Sequence, residues 1–399
     1  MIRVTLSIFC LIAYSVSIVG VNAVFLETTK FPNCKIAKFD KSKYKKSTIC
    51  PKFTDYESYK LEKFQSNKLS ANIIKEYEAW DDIEFHNHKK KIYDEAIEIG
   101  IDHSVAKAFM KRAKFIPAVK ANDSNQAENI HTLSDYIKRR MSKDFYDLLI
   151  NKAPEKDKNL DNIFNSIEDE FGVERSIVMS LWMSETNFGR FIGSSDPFSV
   201  LATMSFKDRR AEFFRKNLID LMKLISMGHV SIDAKGSAAG AIGGIQFMPQ
   251  TFFSYGIDWD LDGKIDLFNS ETDMMASASN YLHNVGWKKN EPILTVVELP
   301  DNFDYCNVGY VKANKRTLAQ WKKLGVKIPK NDKFGQEAFL DNNRMAWLVM
   351  TDKVVQFENG CKPIAFLAYE NFGALLDWNR STANVAVLSI YNKIINDIE

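Results

Sequence analysis

Chemistry in this chain is anchored most clearly at Glu185. An apolar run, Ile177-Val178-Met179-Ser180-Leu181-Trp182-Met183, leads to that one carboxylate, and Gly189 follows. On a helix over 176–186, Val178, Leu181 and Glu185 stand at i, i+3 and i+7 on one face, with Trp182 beside them. Apolar neighbours and the negative end of the helix dipole both disfavour the ionised carboxyl. The pattern therefore predicts a raised pKa and a proton available near neutrality. That is what a general acid acting on a glycosidic oxygen needs. The alternative is a solvated Glu at a helix end.

A second stretch, "KGSAAGAIGGIQFMP", gathers Gly236, Gly240, Gly243 and Gly244 ahead of Gln246. Small residues let backbone approach a bulky ligand, while Ser237 and Gln246 supply a hydroxyl and an amide; on its own the stretch means a tight turn and nothing more. Pro249 suits the first turn of a following helix. No Gly-Lys-Ser/Thr follows, so this is not a phosphate loop, and it does not fit the dinucleotide fingerprint. Further on, "DWDLDGKIDLFN" (258–269) carries Asp258, Asp260 and Asp262 at alternate places with Gly263 sixth. That is the first half of an EF-hand loop. The twelfth place holds Asn269 instead of Glu, which predicts weak calcium binding or partial filling by sodium. The other reading is an Asp-rich turn that caps a helix.

The elements that must position these residues are mostly helical. Residues 1–23 have one early Arg, an apolar stretch and a small-residue "VNA" end, which reads as a signal peptide cut after Ala23. The alternative is an uncleaved anchor. Phe9 stands before Cys10 where lipoprotein signals need a small residue, so no lipid anchor is expected. Residues 24–70 form a Lys-rich, weakly periodic arm, either a solvated tail or a contact for acidic groups or lipid. Helical periodicity marks a domain over 71–150, with a break at Gly100-Ile101-Asp102, and continues through a core over 151–290. Gly172 and Gly189 are expected helix stops. Residues 291–340 are β-prone and predict a small inserted lobe, and 341–399 form a closing segment that opens on the strand-like "RMAWLVM". The class expected is mainly α with a minor β element.

Length (399 residues) allows two or three domains, and a net charge of +2 gives no support to nucleic-acid binding. Beyond the leader, Cys34, Cys50, Cys306 and Cys361 allow three pairings. Local closure favours Cys34–Cys50 and Cys306–Cys361 in an oxidising compartment, against four free thiols. No spacing suggests zinc.

Taken in order, "ETNFG", "LATMSF…RRAEFF", "KGSAAGAIGGIQFMP", "NYLHNVGW" and "NFGALLDWNRS" make the chain resemble the lytic murein transglycosylases of the membrane-bound B type. The resemblance runs from about Ala96 to the C-terminus and is weakest over 288–340. It implies a lysozyme-like, α-rich core with a peptidoglycan groove and Glu185 as its single catalytic acid and base. Ser237 and Gln246 match groove contacts. Tyr136, Arg209, Arg210, Tyr281 and Asn379 match further substrate-binding or site-supporting positions. Trp378 stands where a Tyr is usual and keeps an aromatic face, while Asn384 stands where a Tyr is common and removes one contact. The resemblance also implies a variant metal loop completed by the Lys264 carbonyl and Asp273. It implies no cofactor for catalysis, a structural Ca2+ or Na+, and a monomer in the Gram-negative periplasm. Peptidoglycan strands, and cell-wall synthesis or division complexes, are the implied partners. The implied reaction cleaves the MurNAc–GlcNAc β-1,4 bond without water and closes a 1,6-anhydro ring. Asp196, Asp208 and Glu212 leave open a hydrolase with a second carboxylate, and a non-catalytic peptidoglycan-binding protein is the other alternative.

Overall fold

A computed structural model describes residues 82–119, 133–330, 332–350 and 364–398. The expected signal peptide, the Lys-rich arm, Cys34, Cys50 and Cys361 lie outside the described residues; Cys306 is exposed. The helices are α1 (Asp82–Glu98), α2 (His103–Arg112), α3 (Leu133–Arg140), α4 (Lys143–Phe171), α5 (Arg175–Thr186), α6 (Pro197–Ser205) and α7 (Ala211–Ser226). They continue as α8 (Pro249–Tyr255), α9 (Glu271–Asn284), α10 (Leu318–Lys323), α11 (Lys333–Ala338), α12 (Glu370–Trp378) and α13 (Thr382–Ile398). The strands are β1 (Leu294–Val297), β2 (Arg316–Thr317), β3 (Met345–Met350) and β4 (Ala365–Ala368). The described residues divide into two units, one of 82–119, 144–289 and 391–398, the other of 133–143, 290–330, 332–350 and 364–390.

The first unit is helical. Gly100 turns the chain at φ 83°, and Asp102 caps α2 by accepting from the Ser104 N–H at 2.7 Å. Helices α1 and α2 belong to this unit. Arg112, at the end of α2, pairs with Asp196 at 2.9 Å, and the Lys114 and Ile116 N–H groups donate to Ser199 and Thr203 of α6. The chain leaving α2 is extended, so its N–H groups need partners, and the α6 hydroxyls supply them. Gly172 ends α4 at φ 64°, and Pro197 and Pro249 open α6 and α8 where a missing N–H is harmless.

The second unit holds an antiparallel sheet in the order β1-β4-β3-β2. Leu294 to Val297 of β1 pair with Ala368 to Ala365 of β4, and Trp347 to Met350 of β3 pair with the other edge of β4. All four β4 residues are buried. Two of the four strands, β3 and β4, follow residue 340 and pair with β2 and β1, whose backbone groups they satisfy. Leu318, Trp321, Leu348, Leu367 and Tyr369 form its core, and the Trp321 indole donates to the Ala346 carbonyl at 3.0 Å.

Candidate active site

Helix α5 is buried on nearly every side. Every residue from Ser176 to Thr186 is buried except Glu185, which is half-buried, and Arg175 at the start of the helix is half-buried as well. The helix stops at Asn187, two residues before the expected Gly189. Asn187, Phe188 and Gly189 are successively left-handed at φ 52°, 56° and 85°. Asn tolerates that region, but Phe188 is strained there. Its ring, set edge-on to Trp182 at 5.3 Å, and its buried position hold it.

Thr186, absent from the sequence-based site, ties the helix end to the glycine-rich loop. Its hydroxyl donates to the Gly244 carbonyl and accepts from the Gly189 N–H at 3.0 Å. Only its place beside Glu185 in "ET" hinted at it. The loop is built by bridges Ser195–Gly236, Gly236–Ile242 and Ile242–Phe247. Its glycines, and Gly193 beside it, pack tightly against the protein's own atoms. A Cβ on Gly193 would lie 2.1 Å from the Gly236 carbonyl oxygen, and one on Gly244 would lie 2.2 Å from the Met274 sulfur.

Ser237 and Gln246 are partly spent on that same loop. The Ser237 hydroxyl oxygen accepts from Ala239 and Ala241 N–H groups at 3.3 and 3.0 Å. The Gln246 amide donates to the carbonyls of Ile192 at 3.1 Å and Gly243 at 2.9 Å. What remains for a ligand is the hydroxyl hydrogen of Ser237 and the carbonyl oxygen of Gln246. Tyr281 is half-buried, its ring 5.8 Å from Phe247 and 5.1 Å from Tyr255. Arg209 is exposed, and the Arg210 guanidinium lies 5.0 Å over Phe214. The other acids raised by the sequence are engaged elsewhere. Asp196 caps α6 and pairs with Arg112, Asp208 accepts from the Arg210 N–H, and Glu212 pairs with Arg215 at 2.7 Å.

Residues 84–390 match the model of the Transglycosylase SLT domain. The chain belongs to the transglycosylase SLT family. It is 33% identical over 140 residues to the membrane-bound lytic murein transglycosylase B of Escherichia coli, a stretch covering 33% of this chain and 38% of that protein. The aligned stretch thus spans little more than a third of that relative. SltB3 of Pseudomonas aeruginosa, solved in complex with NAG-anhNAM-pentapeptide, shares 26% identity at a TM-score of 0.66, covering 78% of this chain and 79% of that one. The Escherichia coli transglycosylase Slt35, solved in complex with calcium, shares the fold at 21% identity and a TM-score of 0.63, covering 77% and 92%.

In this SLT-family chain the Asp-rich loop brings Asp258, Asp260 and Asp262 together, with carboxylate oxygens all within 4.8 Å of one another. Asp258 accepts from the Gly263 N–H at 2.9 Å, and Asp262 from the Lys264 N–H at 2.8 Å. Gly263, at φ 91°, makes the sharp turn expected of a sixth position. Asp273 is not one of this group. It is buried, and its two oxygens accept from the Trp259 and Asp266 N–H groups at 2.9 and 2.8 Å, clamping the loop shut. The Lys264 ammonium reaches Asp266 at 2.7 Å. Three converging hard oxygen donors on an exposed turn fit a calcium-type ion.

The remaining predicted residues belong to the other unit. Tyr136 is buried, and its hydroxyl donates to the Asn384 side-chain oxygen at 3.3 Å. Asn384, expected to remove a groove contact, is an interior support for Tyr136 and is 1% exposed. Trp378 and Asn379 are half-buried where α12 ends. Among the described residues no helix is long and apolar enough to cross a membrane.

Proposed function

We propose that this protein is a peptidoglycan lytic transglycosylase that cleaves the MurNAc–GlcNAc β-1,4 bond and leaves a 1,6-anhydroMurNAc end. The observation that carries the reading is Glu185, the single unburied position in the last turns of a buried helix. Glu185 protonates the glycosidic oxygen as the bond to C1 breaks. The 2-acetamido group or the groove stabilises the developing cation. The Glu185 carboxylate then takes the proton from the MurNAc C6 hydroxyl, whose oxygen closes on C1. One carboxyl serves as acid and then as base, so the cycle needs no second acid. The structural engagement of Asp196, Asp208 and Glu212 supports that economy.

In the helical unit, Ser237, Gln246, Tyr281, Arg209 and Arg210 are glycan contacts. In the sheet-bearing unit, taken by itself, Trp378 and Asn379 are glycan contacts, with Tyr136 in support. Asp258, Asp260, Asp262 and the Lys264 carbonyl hold a structural calcium or sodium ion, and Asp273 closes the loop behind it. The ion fixes the turn before α9 and takes no part in the reaction. The site of action is the periplasm, and the substrate is the glycan strand of the cell wall.

Digestion of purified sacculi followed by mass analysis of the muropeptides tests this reading. Anhydro ends are expected. Hydrated ends would make the protein a muramidase, and retained sacculus binding with no product would make it a scaffold. Either result overturns the proposal.

A further inference from the structure

Helix α12 carries more than its terminal Trp378 and Asn379. Glu370, Gly373 and Asp377 lie along one of its faces at i, i+3 and i+7. Tyr310, from the lobe, rests on that face. A Cβ on Gly373 would lie 2.3 Å from the Tyr310 hydroxyl oxygen, so the absence of a side chain at 373 is what admits the phenol. The Tyr310 ring meets Trp347 at 4.5 Å and Phe372 at 5.1 Å. The Trp347 indole donates to the Val311 carbonyl at 3.0 Å and pins the segment. The Lys315 ammonium stands 4.4 Å over the Trp347 ring and pairs with Glu370. Despite this support, Tyr310 is 37% exposed and its neighbour Val311 44%.

A rigid aromatic that stays partly open, flanked by an ammonium and two carboxylates, has the makings of a saccharide platform. The ring offers a flat apolar face, and the charged groups accept from or donate to hydroxyls around it. Burial, together with the Glu370 and Asp377 carboxylates, pushes the Tyr310 phenol up.

We propose that Tyr310 is a further glycan contact, stacking on an amino-sugar ring of the strand and extending the Trp378–Asn379 contact along α12. The inference rests on the transglycosylase reading for its ligand. It adds a sugar contact from a lobe where the sequence resemblance is weakest. The occupant is the sugar chain and not the stem peptide.

The test uses the full chain with Glu185→Gln, which binds strands without consuming them, and adds Tyr310→Leu or Tyr310→Phe. Binding is measured to intact sacculi and to strands stripped of stem peptides by an amidase. Tyr310→Leu keeps apolar volume against Phe372 but loses the flat face, so it should bind both substrates up to about tenfold more weakly. Tyr310→Phe should lose less. Melting curves recorded alongside check folding. Gly373→Ala, whose methyl displaces the phenol, supplies the same readout if the Leu variant melts early. Parental binding by the folded Leu variant, or by Gly373→Ala where it stands in, overturns the inference, as does a loss confined to strands bearing stem peptides. Failure of the activity reading shows separately, as absent anhydro products from the unsubstituted enzyme.

Discussion

Two acidic regions of the helical unit make opposite use of carboxylates. In the loop from Asp258 to Asp273, acids crowd together, and their oxygens accept N–H groups from Gly263, Lys264, Trp259 and Asp266. Those acids fold the loop and gather charge for a cation. On α5 one acid, Glu185, is the half-buried position in a run of buried residues. The contrast shows that acid density does not mark the reactive carboxyl; its surroundings do. A reactive acid needs an environment that keeps a proton within reach. A loop acid needs backbone donors and a cation, both of which favour the ionised form.

The deepest effect should come from Glu185→Gln, which keeps shape and polarity but removes the proton. Release of anhydro muropeptides should fall by roughly a thousandfold, within the range for losing a general acid–base. Sacculus binding should persist. Asp258→Asn, at the other acidic region, should leave turnover near the parental value when the protein is folded. If the Asp258 variant loses turnover as deeply as the Glu185 variant does, the distinction between the two regions is wrong.

Next comes the loop that backs Glu185. Gly193 sits at φ 96° with the Gly236 carbonyl where its Cβ would be. Gly193→Ala must both adopt a disfavoured backbone and force two chain segments apart. A destabilisation of about 3 kcal/mol or more is expected, read from chemical unfolding. A milder effect belongs to Thr186→Val. It leaves the buried Gly244 carbonyl without its partner, while the exposed Gly189 N–H can turn to water, at a cost of about 2 kcal/mol. Because those bonds fix the turn after Glu185, turnover should fall with stability. A valine variant that is as stable and as active as its parent would detach the helix end from the glycine-rich loop.

Much of this arrangement is legible in the residues. The apolar run before Glu185, the Pro residues at 197 and 249, and the alternating Asp258, Asp260 and Asp262 announce a helix, two helix starts and a turn. Two things are not. Helix α5 is buried on nearly every side, so its i, i+3, i+7 spacing says nothing about which face is open. The glycines of 236–244 read as a turn, but nothing in the residues says that Ala241, Leu201, Leu267 and Met274 fill the space beside them. Both have one cause. Local pattern reports that a residue is small or apolar, and only the tertiary partner decides what occupies the space beside it.

The smallest expected effect tests the loop itself and separates its acids from one another. Calcium should raise the melting temperature of the unsubstituted protein by a few degrees, equivalent to about 1 kcal/mol at modest excess over its dissociation constant, and chelator should reverse it. The effect is small because Asn269 stands where a bidentate Glu would close the shell. Asp260→Asn should abolish the calcium increment while costing little in chelator. Asp273→Asn should behave in the opposite way. Its carboxylate accepts from Trp259 and Asp266 inside the fold, so the variant loses stability equally with and without calcium. If Asp273→Asn instead removes only the calcium increment, Asp273 is a ligand and the clamp assigned to it is wrong. A melt that neither calcium nor chelator moves would leave the three converging aspartates as a turn-forming device alone.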